Sequence, residues 1–87
     1  MSSKLPMEMP DTEILREIGR RLEALRKSRR LSQSEAAELS GLARRTLYSA
    51  EHGDNPTLLT LIRLLRTYGR LGAIVVFRTE NMFICHR

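Results

Sequence analysis

The sequence predicts an all-α domain of four to five short helices, closed by a short C-terminal β-strand or hairpin. Three observations carry the prediction. Between residues 12 and 29 apolar side chains fall at Ile14, Ile18, Leu22 and Leu25, which places them on one face of a helix. The stretch LSQSEAAELSG, residues 31–41, holds a start and a stop signal around one short helix. Ser32 followed three residues on by Glu35 is a capping box, and Gly41 is the residue that best tolerates the left-handed conformation at a helix end. Beyond Gly69 and Gly72, the β-branched run Ile74, Val75, Val76 favours extended chain.

Taken in order, residues 1–10 hold two prolines and no periodicity, and read as a flexible lead. The first helix starts at Pro10 with Asp11 or Thr12 and runs to about residue 29, with Leu15 beside its apolar face. Glu17 with Arg21, and Glu23 with Lys27, are i,i+4 pairs in the favourable orientation on its wet side. Gly19 in its middle costs about 1 kcal/mol relative to alanine, which close packing against a neighbouring element would explain. The second helix runs from Ser32 to about Ser40 and is expected to bury only Ala36, Ala37 and Leu39. The third, from about Arg44 to Glu51, turns Leu47 and Ala50 inward and stops before Gly53. Asp54, Asn55 and Pro56 form a loop, and Thr57 caps a fourth helix reaching about Tyr68. Leu58, Leu59, Leu61, Ile62, Leu64 and Leu65 make that helix apolar over most of its circumference, so it is expected to be covered on two sides, the second by another subunit. The tail offers a strand near residues 73–77 and a second at residues 82–85. A lone strand or hairpin is marginal in water. Ile74, Val75, Val76 and Phe77 are therefore expected to pair with the helices or with the same strand of a second chain, as a dimerisation element. The organisation read from this is a lead over residues 1–10, a helical domain over 11–69 and a C-terminal element over 70–87.

The 87 residues suffice for one small core. Lys and Arg number 15 against 10 Asp and Glu, giving a net charge of +5, which points to an anionic partner, nucleic acid before a membrane surface. Cys85 is the only cysteine, so no internal disulfide forms. That fits a reducing compartment. The N-terminus lacks the apolar run of a secretion signal, and the longest apolar run, residues 73–77, is far too short to span a bilayer. A soluble, cytoplasmic protein without membrane attachment is expected. His52 and His86 are the only histidines, and no nucleophile, base and orienting group share a spacing suited to catalysis. Cys85–His86 is too little for a zinc site. Neither an enzyme, a metal nor a cofactor is expected.

GLARRTLYSAEHG, residues 41–53, is the unusual stretch. A helix opening with Arg44 and Arg45 behind Ala43 places two cations at the end that repels them. It also lacks the Ser, Thr, Asp or Asn that would cap a free N–H. Helices crossing at small residues around a glycine turn make a helix-turn-helix candidate. At this point the sequence resembles the Xre-type family, which shares the fold of the lambda-type phage repressors. The resemblance covers about residues 18–68. It rests on Gln33 opening the second helix, Ala37 at the crossing, Gly41 in the turn, Leu47 and Ala50 facing inward, and NPTLLTL opening the fourth helix.

The resemblance implies that the third helix reads DNA with the residues facing outward at its start: Arg44, Arg45, Tyr48 and Ser49, with Thr46 less exposed. Arginine binds guanine O6 and N7 with two hydrogen bonds, worth about 1–3 kcal/mol of discrimination. Helix-end repulsion costs only about 0.3–1 kcal/mol per charge. The plainer alternative is a solvated surface of long side chains. Gln33 is implied to contact the sugar-phosphate backbone and to buttress the third helix. Tyr48 would meet a thymine methyl or a phosphate, or pack locally, and Asn55 would place an N–H on a phosphate or merely shape the turn. Arg26 and Glu51 match the family's structural ion pair between the first and third helices. Lys27, Arg29 and Arg30 read as a solvated basic patch acting at long range. Two departures stand out. Ala43 occupies a position where many relatives carry Ser or Thr, and the tail has no fifth helix like that of the phage repressors. A short C-terminal strand is instead similar to that of HipB-like antitoxins, whose strands pair between subunits. The expected function is a sequence-specific, dimeric, double-stranded-DNA-binding repressor of a palindromic operator. The alternative is an antitoxin that neutralises a partner toxin and represses its own operon.

Overall fold

The computed structural model describes residues 7–73. It contains four α-helices, α1 (Asp11–Ser28), α2 (Gln33–Ser40), α3 (Arg44–Glu51) and α4 (Leu58–Thr67), and one turn of 3₁₀-helix at residues 71–73. The described residues contain no strand. Ile74, Val75, Val76, Phe77 and the second strand expected at 82–85 lie outside the described residues, as do positions 1–6 of the lead. No described helix is long and apolar enough to cross a membrane.

Each helix start follows from its own residues, with one exception. At α1 the extended Pro10 offers its carbonyl to the N–H groups of Glu13 and Ile14, both at 3.0 Å, and Asp11 and Glu13 suit the positive end of the helix. At α2 the capping box is complete: Glu35 N–H donates to Ser32 Oγ at 3.0 Å, and Ser32 N–H donates to Glu35 Oε1 at 2.8 Å. At α4 the N–H of Thr60 donates to Thr57 Oγ1 at 3.1 Å. Among the described helices α3 alone lacks both a side-chain cap and an acidic residue in its first turn; Ala43 stands at its N-cap position in extended conformation. The two i,i+4 pairs of α1 form as the spacing predicts, Arg21 to Glu17 at 3.0 Å and Lys27 to Glu23 at 3.1 Å.

The core is small: Leu22 of α1, Ala36 and Ala37 of α2, Leu47 and Ala50 of α3, Leu64 and Leu65 of α4, and Tyr68 just after it. Ile18, Leu25, Leu31, Leu42 and Leu61 pack around it, half-buried. Gly19 has the close contact its mid-helix position suggests. A Cβ there would collide with the Glu51 carbonyl and come within 2.8 Å of the Ala50 carbonyl oxygen, so α3 ends directly on the backbone of α1.

One core residue is misassigned by the sequence reading. Leu39 is 66% exposed, and Ser40 takes the buried place expected for it. The inward stripe of α2 is Ala36, Ala37 and Ser40, and Ser40 satisfies its hydroxyl by donating to the Ala36 carbonyl at 2.7 Å. A leucine in that stripe would hold α2 away from α3 and α4, so small residues occupy it. On α4 the expected second apolar side is present. Leu58 is 68% and Leu59 55% exposed, while Leu64 and Leu65 fill the core.

Candidate nucleic-acid interface

The turn between α2 and α3 is Gly41, Leu42 and Ala43. Gly41 adopts φ 72° and ψ 27°, the left-handed conformation that favours glycine. Its N–H donates to the Glu38 carbonyl and that of Leu42 to the Ala37 carbonyl, at 3.3 and 2.9 Å. From α4, Arg63 Nη1 donates to the Gly41 carbonyl at 3.2 Å. The turn is therefore closed by its own backbone and tied to α4.

Beyond the turn, α3 sends Leu47, Ala50 and Glu51 inward, and Arg44, Arg45 and Tyr48 into solvent. Its first turn contains no acidic residue. A groove of about 610 Å³ runs along its outer side, lined by Gln33, Arg44, Arg45, Tyr48 and Ser49. These are five of the seven side chains expected to face DNA. Thr46 is half-buried to one side of them, and Asn55 is exposed in the loop after α3 at φ 43°; neither lines the groove.

The wall of this groove is fixed from beneath by a buried ion pair. Arg26 donates to Glu51 twice, Nε to Oε2 at 2.7 Å and Nη2 to Oε1 at 3.1 Å, and its Nη1 donates to the Leu31 carbonyl at 2.9 Å. The side chains are 8% and 2% exposed. The Glu51 carboxylate holds Arg26 above the usual arginine range, against the opposing effect of burial. Gln33 Nε2 also donates to Glu51 Oε1, at 3.1 Å. Because a carboxylate only accepts, the amide nitrogen of Gln33 must face inward. The other N–H of that nitrogen and the amide oxygen are left for an outside partner. Gln33, at the start of α2, is thus bonded to the last residue of α3.

Two supporting residues escape the sequence reading. Arg63 is a plain exposed cation by pattern, and nothing local signals its bond to Gly41, 22 positions away. Tyr68 marks only a helix end by pattern, yet it is 1% exposed. Its hydroxyl has no hydrogen-bond partner among the described residues. Burial, followed by the charge of Glu51, pushes its pKa up to about 12. The periodicity of Leu61, Leu64, Leu65 and Tyr68 is the signal that would have placed it inside. At the far end of α3, the rings of Tyr48 and His52 meet edge-on with centroids 4.0 Å apart. His52 Nδ1 lies 2.9 Å from the Tyr48 carbonyl oxygen. Among the described residues no cluster of His, Cys, Asp and Glu could hold a metal ion.

The helix-turn-helix family model matches residues 22–71, from the buried Leu22 of α1 into the 3₁₀ turn. Comparison with curated proteins yields no match. With more than half of the chain covered, and with α2, the Gly41 turn and α3 arranged as described, the protein belongs to the helix-turn-helix family of DNA-binding regulators, in its Xre or lambda-repressor-like class.

Proposed function

We propose that the protein is a transcriptional repressor that binds a palindromic operator as a homodimer in the cytoplasm, with α3 as its reading helix. The observation that carries this reading is the start of α3. Two exposed arginines stand at an uncapped, acid-free helix N-terminus, beside a glutamine whose amide is oriented by Glu51. A helix selected for stability alone would carry a cap and an acid there. Facing DNA, each arginine gains more from a guanine than it loses to the helix end. Arg44 and Arg45 read base edges, Tyr48 and Ser49 extend that contact, and Thr46 flanks it. Gln33 and Asn55 hold the backbone. A two-fold dimer sets two such helices about one helical turn apart, roughly 10 bp centre to centre.

The test is the double substitution Arg44→Glu, Arg45→Glu, with thermal melts and operator titrations on the same samples. The fold is expected to be at least as stable, because anions replace cations at the helix start. Operator binding is expected to vanish. A variant that still binds tightly refutes α3 as the reader. Inserting half a turn of DNA between the half-sites is expected to abolish tight binding, and unchanged affinity on that duplex refutes the dimeric arrangement. The exposed Leu39 of α2, apart from the apolar side of α4 assigned to the second subunit, favours a compatible second reading, in which apolar surface left after dimerisation holds a partner toxin. Co-purification of the product of an adjacent toxin-like reading frame tests it.

A further inference from the structure

A second groove, of about 330 Å³, lies at the other end of α3. It is lined by Arg16, Arg20 and Glu23 of α1 with Glu51 and His52. Its carboxylates already have cations: Glu51 is bound by Arg26, and Glu23 by Lys27. Arg20 is held by Glu17 through Nε and Nη2, at 3.1 and 2.8 Å, which leaves both N–H groups of its Nη1 to donate elsewhere. Arg16 is exposed and forms no ion pair or side-chain hydrogen bond among the described residues. The groove therefore presents one uncommitted guanidinium and part of a second.

The chain fixes where these groups stand. Gly53, just beyond α3, has φ 75°, and a Cβ there would lie 2.8 Å from both Cα and N of Arg16. The loop leaving α3 is thus seated on the backbone of α1 at Arg16, and the arginine side chain emerges beside it. Arg44, Tyr48 and His52 follow one another at i, i+4 and i+8, so one row runs along α3 from the reading end towards this groove. The eight residues of α3 span about 12 Å. The major groove of B-DNA is about 8.5 Å deep. A helix whose first turn meets the bases then has its last turn at the rim, where a strand's phosphates run. The Nδ1 of His52 faces the Tyr48 carbonyl, which can only accept, so the donor on this nitrogen is used within α3. The permanently charged donors at the rim that are not already used by Glu51 or Glu23 are those of Arg16 and Arg20.

We propose that the DNA interface continues off the reading helix onto α1, where Arg16, assisted by Arg20, binds a backbone phosphate beside the end of α3. This deepens the DNA-binding reading and rests on it. Phosphate contacts carry no sequence information, so the test needs no operator. The probe is a 20-bp duplex of mixed sequence, titrated by fluorescence anisotropy over a range of salt concentrations. Arg16→Ala and Arg16→Gln are each expected to bind several-fold more weakly at low salt. Each is also expected to lose about one unit from the slope of log affinity against log salt. Arg16→Lys is expected to keep the slope, and Arg16→Glu to lose most. Arg66→Ala, in the last turn of α4 and lining neither groove, controls for diffuse charge and is expected to change the slope less. The proposal is overturned if Arg16→Ala melts like the parent protein and keeps its affinity and slope, or if Arg66→Ala loses as much. If the parent protein binds no duplex at low salt, the DNA-binding reading falls and takes this one with it. If the Arg44→Glu, Arg45→Glu protein loses binding while both neutral Arg16 variants retain it, only the α1 contact fails.

Discussion

The two helices of the helix-turn-helix unit are both eight residues long, yet they are secured at opposite ends. Helix α2 is held at its start by its own sequence, through the reciprocal bonds of Ser32 and Glu35. Helix α3 has nothing comparable at its start and is held at its end by other helices. Glu51 is gripped by Arg26 of α1 and Gln33 of α2, and the Glu51 carbonyl rests against Gly19. The difference shows how a recognition helix can leave its reading end free. The N-terminus is kept bare for an outside partner, and anchoring is moved to the C-terminus, where a buried carboxylate and a close backbone approach supply it.

The largest effect on this arrangement is expected from Glu51→Ala. It leaves the Arg26 guanidinium buried without its anion, which typically costs about 3–5 kcal/mol, and it frees the amide of Gln33. Urea denaturation near pH 7 reads this directly. A loss below about 1 kcal/mol would mean that α3 is secured elsewhere, chiefly by Leu47 and Ala50.

The next effect concerns Tyr68, buried near the same pair. Its pKa of about 12, against an ordinary 10, means that the unfolded chain ionises first. The neutral form is present in both states below about pH 10, so this group makes stability fall only as pH rises from about 10 towards 12. About 2–3 kcal/mol is at stake over that interval, from two pKa units at 1.36 kcal/mol each. Tyr68→Phe removes this sensitivity. At neutral pH it also removes a hydroxyl without a partner, so it is expected to be no less stable than the parent. Melts between pH 9 and 12 compare the two proteins. Identical alkaline limbs would show that the hydroxyl reaches water.

A smaller effect is expected at the self-sufficient helix. Ser32→Ala removes the α2 cap and is expected to cost about 1 kcal/mol, read as a shift in the denaturation midpoint at constant slope. The smallest change tests the bare helix by supplying what it lacks. Ala43→Ser offers a cap to the first N–H groups of α3 and is expected to gain about 0.5–1 kcal/mol. If Ala43→Ser adds nothing while Ser32→Ala costs its full amount, the start of α3 is already satisfied, and its bareness is not a concession to DNA.

Much of this domain is written in short-range signals. The Ser32–Glu35 box, the left-handed Gly41, the Thr57 cap and the i,i+4 pairs of α1 all depend on residues within four positions of one another. The geometry of a helix turn brings such residues together wherever the helix forms, so spacing alone identifies them. The outward row of Arg44, Arg45, Tyr48 and Ser49 was legible for the same reason, because Leu47 and Ala50 fix which side of α3 faces inward. The Arg26–Glu51 pair, by contrast, came from family resemblance and not from spacing.

Other features depend on which helices meet, and at what distance. Leu39 looked like a core residue because it is apolar. The depth of the α2 contact excludes it and favours Ser40, since only small side chains fit where helices approach closely. The bond from Gln33 to Glu51 spans 18 positions and that from Arg63 to Gly41 spans 22, and no periodicity predicts either. Gly53 announced a helix end, but its seat on the backbone of Arg16, which carries the edge of the site onto α1, follows from packing alone. Local sequence sets conformation through steric preference and nearby hydrogen bonds, which act over a turn or two. The distance between two helices is set by the volumes of all the side chains between them, and that sum is available only once the chain has folded.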